Sequence, residues 1–303
     1  YEGAVEARAA AAVAASSRPP EGQGITLSPL QRSIDGDSIT YSAVSMEIDR
    51  SARTATIHVQ APTDMPPSDG DGIQALGADF WSLRLARELD DAILHLRTNE
   101  NEIGTWLFQT SGDGDLVAAH DAALAANQDH WLVREITLYL KRTLKRIDVT
   151  SRSIFAMIEP ASCFTGTLLE LALAADRGYM LDGQFEGDNR PPATVSLTAM
   201  NFGPYQMVNG LTRLQSRFLD DEATVTELAQ RQGEAMEALD AEKAGLVTFA
   251  PDDIDWQDEV RIAIEERAAF SPDALTGMEA NLRFGGPETM ESKIFSRLSA
   301  WQN

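Results

Sequence analysis

Apolar residues recur at three- and four-residue intervals in two stretches of the chain and form short unbroken runs in two others. In Phe80–Leu96, Leu85, Leu89, Ile93 and Leu96 fall on one face of a helix. Trp131–Ile147 repeats the pattern with Val133, Ile136, Leu140, Leu144 and Ile147. Ile154–Ile158 is an apolar run of strand length, and Thr105–Gln109, apolar at its centre, also reads as a buried strand. Ile39–Ile48 and Thr54–Gln60 alternate near period two around the turn Asp49–Arg53, which predicts a β-hairpin. Strands alternating with helices predict an α/β fold, a mostly parallel sheet with covering helices. Around these elements, Ala4–Ala15 is an Ala-rich helical stretch closed by Ser16-Ser17-Arg18-Pro19-Pro20, since proline cannot continue a helix. Gly22–Ser38 is a linker rich in Gly, Pro and Ser. Pro62, Pro66 and Pro67 punctuate a loop rich in Asp and Gly that runs to Gly77.

Composition narrows the function classes. With 303 residues the chain can bury a large core, and 43% hydrophobic with 24% charged residues is ordinary for a globular protein. A net charge of −22 argues against nucleic acid as a partner, because phosphate contacts need clustered Lys and Arg. The one basic cluster, Lys141-Arg142 with Lys145-Arg146, lies on a single predicted helix and reads as a solvated face, with pairing to CoA phosphates the alternative. No apolar run reaches the roughly 20 residues of a membrane span, so no membrane partner is expected. A single cysteine leaves no internal disulfide and fits a reducing compartment, with the cytoplasm as the expected location. Cys163 has no flanking His and reads as a small residue packed in a turn. His120 and His130, with Asp121 and Asp129 beside them, match no spacing of a helical ligand pair, so no metal is expected. Nor is there a glycine-rich phosphate loop or a G-x-S-x-G elbow.

The most informative segment is Ile158–Asp176, IEPASCFTGTLLELALAAD. A strand ends, Pro160, Ser162 and Gly166 make a tight turn, and a helix opens near Gly166. A small residue at a helix start leaves backbone N–H groups pointing outward, where they and the helix dipole can hold an anion or a developing oxyanion. Glu170 sits about one turn into that helix. An ordinary strand–helix junction, with Glu170 complementing the dipole, is the commoner account of the local pattern.

The same residues resemble the crotonase (enoyl-CoA hydratase/isomerase) superfamily, whose segment NG-x-A-x-GGG-x-ELALACD supplies an oxyanion N–H for an acyl-CoA thioester. ELALAAD, Glu170–Asp176, stands almost intact here. Counting back from Glu170 sets the glycine triplet on Gly166-Thr167-Leu168, with Thr167 in the central place; counting forward from the strand leaves extra residues in the turn. The family's earlier F-x-A-G-x-D segment, source of a second oxyanion N–H, resembles Leu116–Asp121, where Ala118 and Asp121 keep their places and Ala119 replaces Gly. A bland loop-to-helix junction would look the same. Setting Gly203 and Arg213-Leu214 on the family's LG and RL puts Ala199 where the second acidic residue would be, and alanine exchanges no proton. Glu186 and Asp188 lie in an apparent insertion that reads as a solvated turn. Met236–Pro251 resembles the family's Ala-rich helix, GLV and last short strand, and Ala263–Met278 its closing helix, S-P and helix.

Longer stretches, among them Leu85–Thr110, SPDALTGMEANLRF and GGPETMESKIFSRLSAWQN, resemble the second half of a long, two-half superfamily member that opens the ring of an aromatic acyl-CoA. The resemblance implies hydrolytic opening of 2,3-epoxybenzoyl-CoA to a semialdehyde CoA ester and formate, with no metal or redox cofactor. It implies Glu170 as the catalytic candidate, and Gly166, Thr167 and Ala118 as oxyanion or acyl-CoA-binding candidates. An acyl-CoA is the implied substrate, and a missing N-terminal half and a homo-oligomer are the implied partners. The expected organisation is the end of a preceding domain over 1–20, a linker over 21–38, a crotonase-like core over 39–258 and a C-terminal helical region over 259–303. The chain starts at Tyr1 inside a helical stretch, and an apolar helix over Met290–Trp301 stops with almost no tail, so both ends are expected to be cut from a longer protein. Two further readings stay open: a non-catalytic crotonase-like scaffold or dimerisation half, and a stand-alone acyl-CoA hydratase or isomerase.

Overall fold

The computed structural model describes residues 1–17, 22, 24–283, 289–291 and 293–295. The first helix, α1 (Glu2–Ala14), has no buried residue. Four strands follow: β1 (Ser33–Asp35), β2 (Ser38–Thr40), β3 (Val44–Asp49) and β4 (Thr54–Gln60). The predicted hairpin is β3–β4, with Asp49 facing Thr54 across the turn. The stretch expected as one strand over Ile39–Ile48 is two, because the chain leaves the sheet at Tyr41–Ala43, where Glu88 binds the Ser42 hydroxyl and the Ala43 N–H. Two helices come next, α2 (Gly70–Leu76) and α3 (Trp81–Asn99), so part of the expected loop up to Gly77 is helical; Asp69 caps α2 by accepting from the Gly72 N–H at 2.8 Å.

The chain then alternates β5 (Thr105–Ser111), α4 (Gly114–Ala126), α5 (Trp131–Asp148), β6 (Ser153–Ile158), α6 (Gly166–Leu173) and β7 (Arg177–Met180). Five helices follow among the described residues, joined by irregular chain: α7 (Arg213–Arg217), α8 (Glu222–Gln230), α9 (Ala238–Lys243), α10 (Trp256–Ala268) and α11 (Pro272–Leu282). The seven strands form one sheet in sequence order, antiparallel from β1 to β4 and parallel from β4 to β7. The expected α/β fold, with helix-covered parallel strands and a C-terminal helical region, is the one the chain adopts. After α9 the turn Gly245-Leu246-Val247 leads to a single parallel bridge between Phe249 and Tyr179, the remnant of the expected last strand.

Every residue of β6 is buried, and its alternation divides the protein into two cores. Ile154, Ala156 and Ile158 join the large core beneath α3, α5 and α6. Phe155 and Met157 point to the opposite face, where Tyr179, Leu181, Trp256 and Ala263 form a smaller core under α10. The spacing read in the sequence is the packing spacing: Leu85, Leu89, Ile93 and Leu96 of α3 and Val133, Ile136, Leu140, Leu144 and Ile147 of α5 are all buried. No helix among the described residues is long and apolar enough to cross a membrane. The helix expected over Met290–Trp301 and the proline stop at Arg18-Pro19-Pro20 fall largely outside the described residues.

Candidate functional site

The turn after β6 is pinned to its neighbours before α6 begins. The Cys163 N–H donates to Thr110 Oγ1 at 2.8 Å, and the Gly166 N–H donates to the Ser196 carbonyl at 2.9 Å. Gly166 opens α6 with φ +47°, a conformation glycine adopts without steric cost. A Cβ there would also lie 1.9 Å from Asp121 Oδ2 and 2.5 Å from Thr198 Oγ1, so the position admits only glycine.

The helix start expected to hold a substrate oxyanion holds an anion of the protein itself. Asp121, reaching over from α4, accepts from the Thr167 N–H at 2.8 Å, from the Thr167 hydroxyl, and from the Thr198 hydroxyl at 2.7 Å. The Tyr205 hydroxyl lies 3.0 Å from Thr167 Oγ1. All of these groups except Thr198 are fully buried. Burial pushes the Asp121 carboxyl up to about 6 against the pull of its three donors, with the nearby Glu170 adding to the rise.

Glu170, 1% exposed, is equally committed. Asn201 Nδ2 donates to one of its oxygens at 2.7 Å and Arg213 Nη1 to the other at 2.7 Å. The same Asn201 amide donates to the Gly166 carbonyl at 2.9 Å, tying the 3-10 turn Ala199–Phe202 to the first residue of α6. Arg213 grips Asp148 through Nη2 at 2.7 Å and Nε at 3.1 Å, and donates to the Tyr205 carbonyl at 3.2 Å. Burial raises the carboxyl groups of Glu170 and Asp148, and the Arg213 guanidinium between them draws both back down. Each oxygen of this buried carboxylate is thus held by a neighbouring side chain.

The four candidate residues therefore come together unequally. Gly166, Thr167 and Glu170 lie on the first turn and a half of α6, around Asp121. Ala118 lies inside α4, past the first four N–H groups that a helix leaves free, so its N–H belongs to the helix ladder. His120 is a core residue, its Nε2 3.1 Å from the Asp64 carbonyl and its ring between Phe80 and Trp81. His130 caps α5, with its Nδ1 accepting from the Leu132 N–H at 3.3 Å. Cys163 is buried, and burial pushes its thiol up to about 11. Asp188 pairs with Arg190 at the surface, as a solvated turn would.

Sequence reasoning missed Asn201, Tyr205 and Asp148, and saw Arg213 only as an alignment marker. Thr198 and Asn201 did carry a local signal, a capping box in which each side chain accepts from the other's backbone. Nothing local announces Arg213, whose partners Glu170 and Asp148 are 43 and 65 residues away. On the far side of the Ala199 turn lies a cavity of about 680 Å3. Leu124 and Ala125 of α4, Thr137 and Leu138 of α5, and Ala199 and Met200 line it, with Asp129 its one acidic residue.

No protein-family model matches the chain. It is 52% identical over 299 residues to a benzoyl-CoA-dihydrodiol lyase of Aromatoleum evansii, a match that takes in 99% of this chain and 53% of that protein. The chain thus spans about half the length of that relative. Among solved structures, an enoyl-CoA hydratase/isomerase of Marinobacter aquaeolei aligns with a TM-score of 0.57 at 16% identity, over 86% of this chain and 90% of that one. An enoyl-CoA hydratase of Bacillus anthracis aligns with a TM-score of 0.58 at 15% identity, over the same shares of the two chains. The chain has the crotonase fold of the enoyl-CoA hydratases and isomerases and is, over nearly its whole length, a sequence relative of about half of a benzoyl-CoA-dihydrodiol lyase.

Proposed function

We propose that the chain is the second crotonase-fold half of a benzoyl-CoA-dihydrodiol lyase-like enzyme, and that its own α6 site is a structural lock within that enzyme. The reaction is the hydrolytic opening of 2,3-epoxybenzoyl-CoA to a semialdehyde CoA ester and formate, using water and no metal or redox cofactor. On this reading α1 belongs to the end of a preceding half, the sheet of this half begins at β1, and α10 and α11 close it. The observation that carries the lock is the engagement of both Glu170 oxygens by Asn201 and Arg213, beside a Thr167 N–H already taken by Asp121. Crotonase chemistry needs a free oxyanion donor and carboxyl groups able to exchange protons. A stand-alone hydratase or isomerase is disfavoured further by Ala199, which stands where a second carboxylate would act.

The test is formate release from 2,3-epoxybenzoyl-CoA. The purified 303-residue chain is expected to release none. A protein joining this chain to the other half is expected to release formate, and Glu170→Gln in that protein is expected to keep the turnover. Robust formate release by the chain alone, abolished by Glu170→Gln, would place the active site here and overturn the lock. Absence of turnover in the joined protein would remove the lyase assignment.

A further inference from the structure

Where α6 ends and β7 begins, beside α7, lies a small cavity of about 170 Å3 lined by Arg213, Arg217, Arg283, Asp148, Asp176 and Ser216. Three guanidinium groups thus meet two carboxylates, inside a chain whose net charge is −22. Arg213 is paired with both Asp148 and Glu170, and Arg283 reaches Asp176 at 2.8 Å. Arg217 is left over. It is half-buried, its Nε donates to the Gly245 carbonyl at 2.5 Å, and among the described residues no carboxylate pairs with it.

A half-buried cation without a counter-charge is costly, and arginine cannot escape the cost by losing its proton. Burial disfavours the Arg217 charge, and the two acids of the cavity wall, Asp148 and Asp176, are engaged by Arg213 and Arg283. The cavity has several times the ~30 Å3 share of one water, room for a tetrahedral oxyanion. It is far smaller than the space beside Ala199. Guanidinium forks match phosphate oxygens two at a time. We propose that Arg217, with Arg213 and Arg283 around it, binds a phosphate group in this cavity. The assignment does not depend on the proposed activity.

Thermal unfolding of the 303-residue chain tests it, with sodium phosphate compared against sodium chloride at equal ionic strength. Phosphate is expected to raise Tm in a saturable way, as a ligand of the folded state does. Arg217→Gln is expected to fold and to lose that rise. CoA is expected to reproduce the rise, and pantetheine, which carries no phosphate, is not. Saturation by CoA at about tenfold lower concentration than phosphate would identify the source as the phosphate of a CoA ester, and equal saturation would identify free phosphate. Should Arg217→Gln fail to fold, Ser216→Asp carries the test: a carboxylate on the cavity wall is expected to raise Tm in chloride and abolish the phosphate response. No saturable rise in the natural chain, or a rise that persists in Arg217→Gln or Ser216→Asp, would overturn the proposal.

Discussion

The 3-10 turn Ala199–Phe202 separates two spaces built in opposite ways. On one side Asn201, Thr198, Asp121, Thr167, Glu170, Arg213 and Asp148 form a packed chain of hydrogen bonds and ion pairs. On the other, Ala199 and Met200 face an open cavity of about 680 Å3 whose charged lining residues are Asp129 and Arg134. The fold keeps a helix N-terminus, a following glutamate and a neighbouring cavity, but here the polar groups hold the core together and the open space holds no acid besides Asp129. The difference teaches that one short turn can divide a space closed by the mutual pairing of its polar groups from one left open. A buried ion pair is weak evidence of net stability, yet removing one partner is severe, because it strands the other.

The comparison breaks most completely at Arg213, the one cation between Asp148 and Glu170. Arg213→Gln is expected to cost about 3–5 kcal/mol by leaving two buried carboxylates uncompensated. Urea unfolding with an unchanged midpoint would show that the network contributes nothing. Next comes Gly166→Ala. Its positive φ and a Cβ pressed against Asp121 combine backbone strain with overpacking, for roughly 2–4 kcal/mol. A loss below about 0.5 kcal/mol, the range of an inert surface change, would mean that α6 can open without glycine.

A third test sharpens the comparison through pH. Because the Asp121 carboxyl lies near 6 when folded, above its ordinary 3.8, the folded protein keeps a proton there that the unfolded chain releases. The stability tied to this proton is present in full below pH about 4 and is lost as pH rises through 6, by about 2–3 kcal/mol. Subtracting the stability profile of Asp121→Asn from that of the natural chain should isolate this fall. A flat difference between pH 4 and 7 would show that Asp121 titrates normally. The smallest effect is expected on the open side. Ala199 is exposed, so Ala199→Glu should change stability by no more than about 0.5 kcal/mol. A large loss would mean that the turn tolerates no side chain and that the cavity is less open than its lining indicates.

Much of the scaffold was legible because its signals are local. The spacings of Leu85–Leu96 and Val133–Ile147, the run Ile154–Ile158 and the turn Asp49–Arg53 each specify an element from adjacent residues, and all four appear as read. The break at Tyr41–Ala43 that splits the strand expected over Ile39–Ile48, and the helix Gly70–Leu76, were missed for the converse reason. The first depends on Glu88, more than forty residues away, and the second hides in a loop-like composition with few apolar residues.

The junction at Gly166 and the position of Glu170 were legible in the chain itself, since the apolar run Ile154–Ile158, the breakers Pro160, Ser162 and Gly166 and the helix-forming composition after them are all local signals. What those groups face was decided by tertiary structure alone. Asp121, Asn201, Arg213 and Asp148 lie tens of residues from the donors and acceptors they satisfy. A carboxylate's chemistry is set by its partners and its burial, which sequence spacing does not encode. The sequence therefore determined that an acid would stand one turn into this helix, and packing determined that the acid would be spoken for.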